Sequence, residues 1–598
     1  MRWPYHFIDL TDAQKHQRRE LLDKHANIAQ FSAIVPLLVI QLWSGFSWLR
    51  KTWQNHNDLD LPSSPYRKDV SARSPRGLDH ARVLLRKVRW WLGEEQRLGD
   101  IVGTRGQVIF ALSWMVWLFW LCFAETGDGK LNIMHHKYNI MLKNSDYLHV
   151  TKRFGIIASS QLPFHYLLAL KSPYSPLQLL TRKSHETLNV YHQFLGKAIA
   201  FLLYIHAVLY LNFYVQKSLL ISKIQELYVL CGIIGVVAFK IVTIPPFKHR
   251  KYRFWYLTHI LISSLLLPLL FFHVSHLRVY LYEAGLIYAV HAFLRYRALK
   301  IVTATLRHIP TTSSSTDLLE ITIPTSPPLQ SYKTAQHTYL SLPHHPLSRN
   351  LNSNPFTLAS LPHSDGHLRF LVRIYAGNTA ALLASTTSSS GGQLDLTLEG
   401  PYGTSTHPDT LLGYDRVLFV AGGVGAAFIV PLYRQLLEDL SPSAGSHRRS
   451  KVKFVWAVRS AEETTWALPS GEKERQGFVE RMEMYVTAGG GGTDLQGANG
   501  APVSPRTSED VEAIELQERS TLLTSRTEPS SGDQFHYRAG RPDLPTIVHE
   551  TFSHSSTERV AVMVCGPKSL SRDLRREVGN WVVGRGREVW WWEERFGW

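Results

Sequence analysis

Four histidines set in long apolar runs are the residues whose spacing could do chemistry: His192 and His206, then His259 and His273. Each pair is fourteen residues apart. On an α-helix, fourteen residues return to nearly the same face and rise about 21 Å. If the two helices run in one direction, His192 lies level with His259 and His206 with His273. Two level pairs suit two haems stacked one above the other, each iron held by an imidazole from either helix. Iron ligated in this way has no open position, which fits electron relay better than gas binding. His165, His276 and His291 also lie in or beside apolar runs but form no such set. Ionisable groups inside a span are costly and usually have a partner or a task.

The elements that must carry these histidines are membrane helices. Seven stretches, near 28–49, 107–124, 151–170, 191–215, 227–244, 254–273 and 279–297, are long enough or nearly so to cross about 30 Å of hydrocarbon. The chain carries a formal net charge of +17. Its basic residues cluster between apolar runs, as membrane topology requires, and not in a nucleic-acid-binding pattern. They fill the segment after the first span (Arg67, Lys68, Arg82, Arg86, Lys87, Arg89), the loop at 171–190 (Lys171, Arg182, Lys183) and the loop at 245–253 (Lys248, Arg250, Lys251, Arg253). The last span ends in Arg295, Arg297 and Lys300. With seven spans, every basic loop and the C-terminal half fall on one side, which should be the cytosol. Residues 1–27 are then an extracytosolic leader of mixed charge with no cleavable signal peptide. Within 80–92, Leu84, Leu85, Val88, Trp91 and Leu92 share one helical face, the pattern of an amphipathic helix lying on the bilayer. Three cysteines, Cys122, Cys231 and Cys565, offer neither a disulfide framework nor a thiolate metal site.

After about position 300 the sequence reads as a soluble protein. Leu318–Ile323, Thr338–Leu342, Leu368–Ile374 and Leu394–Leu398 alternate as strands of a small antiparallel barrel. The Ser/Thr/Gly stretch at 384–392 reads as a loop. Arg416–Ala421 is an apolar strand that runs into Gly422, Gly423 and Gly425 and then a helical run to Leu437. Strand, glycine turn and helix start together form an anion-binding arrangement. A second strand, Val452–Val458, ends at Arg459, which could accept the 2′-phosphate of NADPH. A later strand, Val560–Val564, runs into Cys565-Gly566-Pro567. The Gly/Ser/Thr/Glu-rich segment at about 487–538 reads as a disordered insertion.

In this order the pieces resemble the ferric reductase family of fungal plasma membranes, close kin of the NADPH oxidases. The resemblance runs from about 107 to the end. It rests on the paired membrane histidines, Asn354-Pro355-Phe356-Thr357, Gly400-Pro401-Tyr402-Gly403, the turn at 422–425, Gly540-Arg541-Pro542, Cys565-Gly566-Pro567 and Phe596-Gly597-Trp598. It implies a multi-domain membrane protein with a seven-span helical bundle for two b-type haems at 28–300. An antiparallel β-barrel for FAD follows at 301–412, then an α/β Rossmann-like domain for NADPH at 413–598. It further implies that Pro355, Phe356 and Thr357 lie against the flavin and that Arg373 with Thr379 helps hold its phosphates. Gly422, Gly423, Gly425, Arg541, Cys565, Gly566 and Pro567 would form the nicotinamide site, and Phe596 and Trp598 would cover the flavin ring. Two positions depart from the family pattern: Asn354, where His is usual, and Ala335, where Gly is usual.

The expected function is therefore electron transfer across the membrane, from cytosolic NADPH through FAD and two haems to a ferric or cupric chelate outside. No side-chain nucleophile or general base is needed. Reduced metal would feed a separate permease or oxidase of iron uptake. A superoxide-forming NADPH oxidase would use the same route with oxygen as acceptor. A transporter or receptor with a soluble regulatory domain would leave the nucleotide-type motifs unexplained. In the outward loop at 125–150, Glu125, Asp128, His135, His136 and His149 could gather metal, but a solvated loop is the simpler reading and they are left out of the site.

Overall fold

The computed structural model describes residues 5–58, 76–126, 146–171, 174–243, 252–310, 317–342, 353–375, 377–388, 393–403, 407–441, 451–467, 478, 481–487, 537–555 and 558–595. Phe596, Trp598, Asp128, His135, His136, most of the 245–253 loop and the body of the 487–538 insertion lie outside these residues. Tyr537 and Arg538, which the sequence reading put in the insertion, belong instead to a strand.

The membrane half is a helical bundle: α1 (Asp12–Ser32), α2 (Val35–Asp58), α3 (Arg76–Leu92), α4 (Arg105–Phe123), α5 (Tyr147–Ser160), α6 (Leu162–Leu168), α7 (His185–Gln216), α8 (Leu227–Thr243), α9 (Tyr252–His273) and α10 (Arg278–Arg297). Among the described residues, Asp12–Phe46, Arg105–Phe123, His185–Gln216 and Phe254–His273 are long and apolar enough to cross a membrane, and Leu227–Thr243 is apolar but shorter. The other two expected spans are helical yet different in kind. The run at 151–170 is two short helices, and α5 is buried almost throughout because α1, α4 and α7 pack around it. Helix α10 carries Glu283 and a basic end at Arg295 and Arg297. The expected leader is not separate from the bundle. Thr11 and Gln14 form a capping box that starts α1 at Asp12, and buried Arg18 pairs with Asp146 at 2.7 Å. Asp146 in turn caps α5.

Two six-stranded sheets build the soluble half. The first comprises β3 (Leu299–Ile309), β4 (Leu318–Pro324), β5 (His337–Ser341), β6 (Asn354–Thr357), β7 (His367–Arg373) and β8 (Gln393–Tyr402), with β1 (Glu95–Leu98) and β2 (Ile101–Thr104) forming a separate hairpin. Its order is β6-β5-β8-β3-β4-β7, with antiparallel neighbours. A bridge from Leu358 to Phe370 joins the two edges into a nearly closed barrel around Leu319, Ile321, Phe370 and Leu398. Part of the expected loop at 384–392 is helix, since α11 (Asn378–Ser388) reaches Ser388. Buried Leu382 anchors that helix to the barrel core, so packing overrides the weak helix propensity of Ser and Thr.

The second sheet is parallel, in the order β12 (Tyr537–Ala539), β11 (Met482–Val486), β10 (Lys451–Val458), β9 (Arg416–Gly422), β13 (Val560–Cys565), β14 (Val589–Glu594). The strands are near-continuous apolar runs because α12 (Ala426–Asp439) lies on one face and α13 (Leu544–Phe552) with α14 (Lys568–Gly579) on the other. The order reverses between β9 and β13, and ligands bind at the carboxyl ends of strands at such a switch point.

Candidate electron-transfer site

The two histidine helices do not pack directly on each other. Helix α7 lies against α4, α5, α6 and α8, whereas α9 lies against α8 and α10. His192 and His259 reach across the space between them, with ring centroids 6.2 Å apart and planes at 74°. Two imidazoles flanking one metal, with nitrogens at about 2 Å, place their centroids about 6 Å apart. Fourteen residues further along the same two helices stand His206 and His273.

Backbone carbonyls hold three of these rings. His206 donates from Nδ1 to the Thr151 carbonyl at 2.7 Å, and His273 donates from Nδ1 to the Tyr228 carbonyl at 2.6 Å. His192 donates from Nδ1 to the His165 carbonyl at 3.2 Å. In each, the bond fixes the tautomer and leaves Nε2 for a ligand, the arrangement usual for metal-bound histidine. The residues present therefore fit bis-imidazole haem. The sequence reading set His165 aside, but its ring is stacked on His192 with centroids 4.0 Å apart and planes 8° from parallel. The missing signal is tertiary: α6 and α7 meet there, and no spacing within one helix reveals it. His291 is bonded to the backbone of Lys171, and His276 contacts Ser275. Of the outward-loop candidates, Glu125 pairs with Lys24. His149 is buried in α5 and bonded to Arg153 at 2.9 Å, so it is not a solvated loop residue.

The bundle joins the barrel through buried charge. Arg295, at the end of α10, holds both oxygens of Glu399 on β8 at 2.7 and 2.8 Å, and Tyr402 donates to the same carboxylate at 2.5 Å. The Lys171 ammonium lies over the Tyr339 ring, 3.6 Å from its centroid. Helix α3 makes a second joint. Arg86 pairs with Glu588 and Arg575 sits over Trp90 at 4.3 Å, while Leu84, Leu85, Val88 and Trp91 remain exposed on the apolar face.

On the barrel, β6 presents Pro355, Phe356 and Thr357 half-buried, and Asn354 accepts a bond from Asn378 at 2.9 Å, tying the strand to the start of α11. Thr379 closes the turn after β7 by accepting from the Tyr375 amide at 2.8 Å. Arg373 ends β7 and pairs with Glu463 at 3.1 Å, while its buried Nε has no hydrogen-bond partner among the described residues. An unmatched guanidinium N–H beside a helix start fits the phosphates of a dinucleotide. Ala335, the other departure, stands at φ 65°, in the left-handed region that favours glycine.

Gly422, Gly423 and Gly425 cross the end of β9 against Cys565, Gly566 and Pro567 at the end of β13. A Cβ on Gly425 would lie 2.4 Å from the Cys565 carbonyl oxygen, and one on Gly422 would lie 2.6 Å from Pro567. These glycines thus let two backbones meet, a role beyond phosphate approach. Gly423 has φ 54°, and its carbonyl accepts from Trp456 Nε1. Past β10, Arg459 is exposed and the Ser460 hydroxyl is buried without a partner among the described residues; Arg541, past β12, is exposed. All lie at the carboxyl ends of parallel strands and fit a nicotinamide dinucleotide. Two groups escaped the sequence reading because only the tertiary fold assembles them. Glu463 accepts from Arg373 and from the Arg459 backbone amide, linking barrel and sheet. Glu594 is paired in register with Cys565, and burial pushes it up to about 7. Burial also keeps the Cys565 thiol well above its ordinary range, so it is a neutral thiol.

Comparison with known proteins agrees with this assembly. Residues 154–270 match a ferric reductase like transmembrane component, residues 300–406 an FAD-binding domain, and residues 414–579 a ferric reductase NAD binding domain. The chain belongs to the ferric reductase family. It is 24% identical over 497 residues to a probable metalloreductase of Meyerozyma guilliermondii, covering 80% of this chain and 89% of that protein. To ferric reductase transmembrane component 4 of Saccharomyces cerevisiae it is 24% identical over 460 residues, 73% of this chain and 60% of that one. To ferric reductase transmembrane component 1 of Schizosaccharomyces pombe it is 22% identical over 578 residues, 88% and 92%. As a member of this family the chain is an NADPH-dependent, membrane-embedded oxidoreductase with FAD- and NAD-binding domains.

Proposed function

We propose that the protein moves electrons from cytosolic NADPH to ferric, or cupric, chelates on the far side of the membrane, through FAD and two haems. The observation that carries this reading is the His192–His259 pair, 6.2 Å apart, in a chain that also has both nucleotide domains. Bound FAD would supply a carrier that accepts two electrons as hydride and releases them singly, and bound haem would supply single-electron transfer. The protein's work is to hold these groups. His192 with His259 would ligate the inner haem and His206 with His273 the outer. Pro355, Phe356, Thr357, Arg373 and Thr379 would hold FAD. The strand ends at 422–425, 459, 541 and 565–567 would seat NADPH, and Phe596 with Trp598 would cover the flavin. The basic groups Arg86, Lys171 and Arg295 all contact the soluble half, which supports placing the basic loops and the cytosol on that side and the N-terminus outside. The membrane of this reading is the plasma membrane. Reduced iron leaving there suits a neighbouring uptake permease or oxidase.

Sealed vesicles test the direction. With NADPH on the face that exposes the soluble half and an impermeant ferric chelate opposite, ferrous iron should accumulate on the chelate side only. Reduction confined to the NADPH side would refute a transmembrane route. Superoxide produced faster than ferrous iron would make oxygen the acceptor, as in the related oxidases.

A further inference from the structure

The deeper histidines are each pressed against a glycine on a helix other than their own. A Cβ on Gly155 of α5 would lie 2.7 Å from Cε1 of His206, and a Cβ on Gly232 of α8 would lie 2.5 Å from Cε1 of His273. In both, the carbonyl that fixes the ring belongs to the residue four positions before the glycine: Thr151 before Gly155, Tyr228 before Gly232. The two brackets have the same construction on two different helices. The ring cannot retreat from a new methyl group without breaking its bond to the carbonyl, and with that bond goes the direction of Nε2. Gly235, less than a turn further along α8, shows the contrast, since its Cβ would only touch Leu270 at an ordinary 3.5 Å. Glycine inside a helix is unfavourable relative to alanine, so on helix propensity alone Gly155 and Gly232 should gain from replacement.

We infer that Gly155 and Gly232 are positioning residues for the outer haem: each forms, with the carbonyl four residues before it, a slot that sets the plane of His206 or His273. This rests on the functional reading above, and it assigns the slots to the outer haem alone. At the inner level, the surface behind His192 is the stacked ring of His165.

The test uses the full-length protein in detergent and measures haem per FAD, the potentiometric titration of each haem and the low-spin electron paramagnetic resonance signals. The parent is read first and should hold two haems per FAD. A parent without haem would remove the functional reading itself, before any variant is compared. Gly155→Ala and Gly232→Ala should each retain the inner haem and FAD and lose the outer signal, taking haem per FAD from two towards one. Gly235→Ala should keep both haems. Two haems with parental potentials and signals in Gly155→Ala and Gly232→Ala would overturn the inference. So would joint loss of both haems and FAD in those variants, which would make the glycines general packing residues, and so would equal loss in Gly235→Ala.

Discussion

His206 and His273 are fixed by carbonyls on helices that supply no other part of the histidine set, whereas at the nucleotide end side-chain carboxylates join the two domains: Glu463 reaches Arg373 on the barrel and the Arg459 amide on the parallel sheet, and Asp365 on the barrel side holds Arg434. The difference follows from the solvent. Inside a bilayer an unsatisfied N–H has no water to turn to, so a ring that must not rotate is fixed by rigid helix backbone. At the strand ends Arg459 and Arg541 are exposed, so water can replace a partner they lose, and long charged side chains can reach between domains. Groups that relay electrons benefit from holding still, while a site that must admit and release a dinucleotide benefits from links that can re-form. The bundle should therefore fail abruptly when a group is removed, and the soluble end by degrees.

The largest effect is expected in the bundle. His206→Ala or His273→Ala should lower ferric reduction by about 100-fold or more, while stopped-flow flavin reduction by NADPH stays at the parental rate. A parallel fall in both rates would mean that the two ends are not separate. At the nucleotide end, Arg459→Ala should cut the preference for NADPH over NADH by about tenfold, the loss of one charge-assisted contact. Unchanged kcat/KM ratios for the two cofactors would show that Arg459 is a solvated surface group.

Smaller still is the effect of backbone strain at Ala335, in the turn before β5. Ala335 at φ 65° costs about 1 kcal/mol or a little more in that conformation, partly offset by the added chain entropy of glycine when unfolded. Ala335→Gly should raise the thermal midpoint of the flavin-linked transition slightly, and a lowered midpoint would show that the Ala335 methyl contributes more through packing than the strain costs. The finest test concerns pH. Glu594 holds its proton up to about 7 when folded, against 4.5 as an isolated side chain. The folded state therefore binds more protons than the unfolded one between those values, and stability should fall as pH rises from 4.5 to 7. Glu594→Gln should flatten this slope in thermal unfolding of the soluble transition. An identical slope in parent and variant would place the titrating group elsewhere.

The histidine set was legible because helical periodicity carries position from one turn to the next, and two equal spacings fix two faces. Thr151, Tyr228, Gly155, Gly232 and His165 were not, since each acts on a ring from another helix and no local pattern marks the contact. The same holds in the soluble half. Apolar runs announced β9, β10 and β13, and the glycine motifs announced the switch point. Glu463 lies in a short helical turn after β10 and shows its role only when barrel and sheet are brought together. Helix α11 was hidden by its Ser/Thr composition, and the two-piece nature of α5 and α6 by an apolar run that looks continuous. Ala335 was noticed as a departure from the family, but only its backbone angle shows why glycine belongs there.

The central claim is best tested by the absorption spectrum of the purified protein under argon, before and after NADPH and again after ferric citrate. Two b-type haem bands that appear with NADPH and collapse on addition of ferric citrate are the expected result. A protein that binds FAD yet shows no haem bands under any reductant would contradict it.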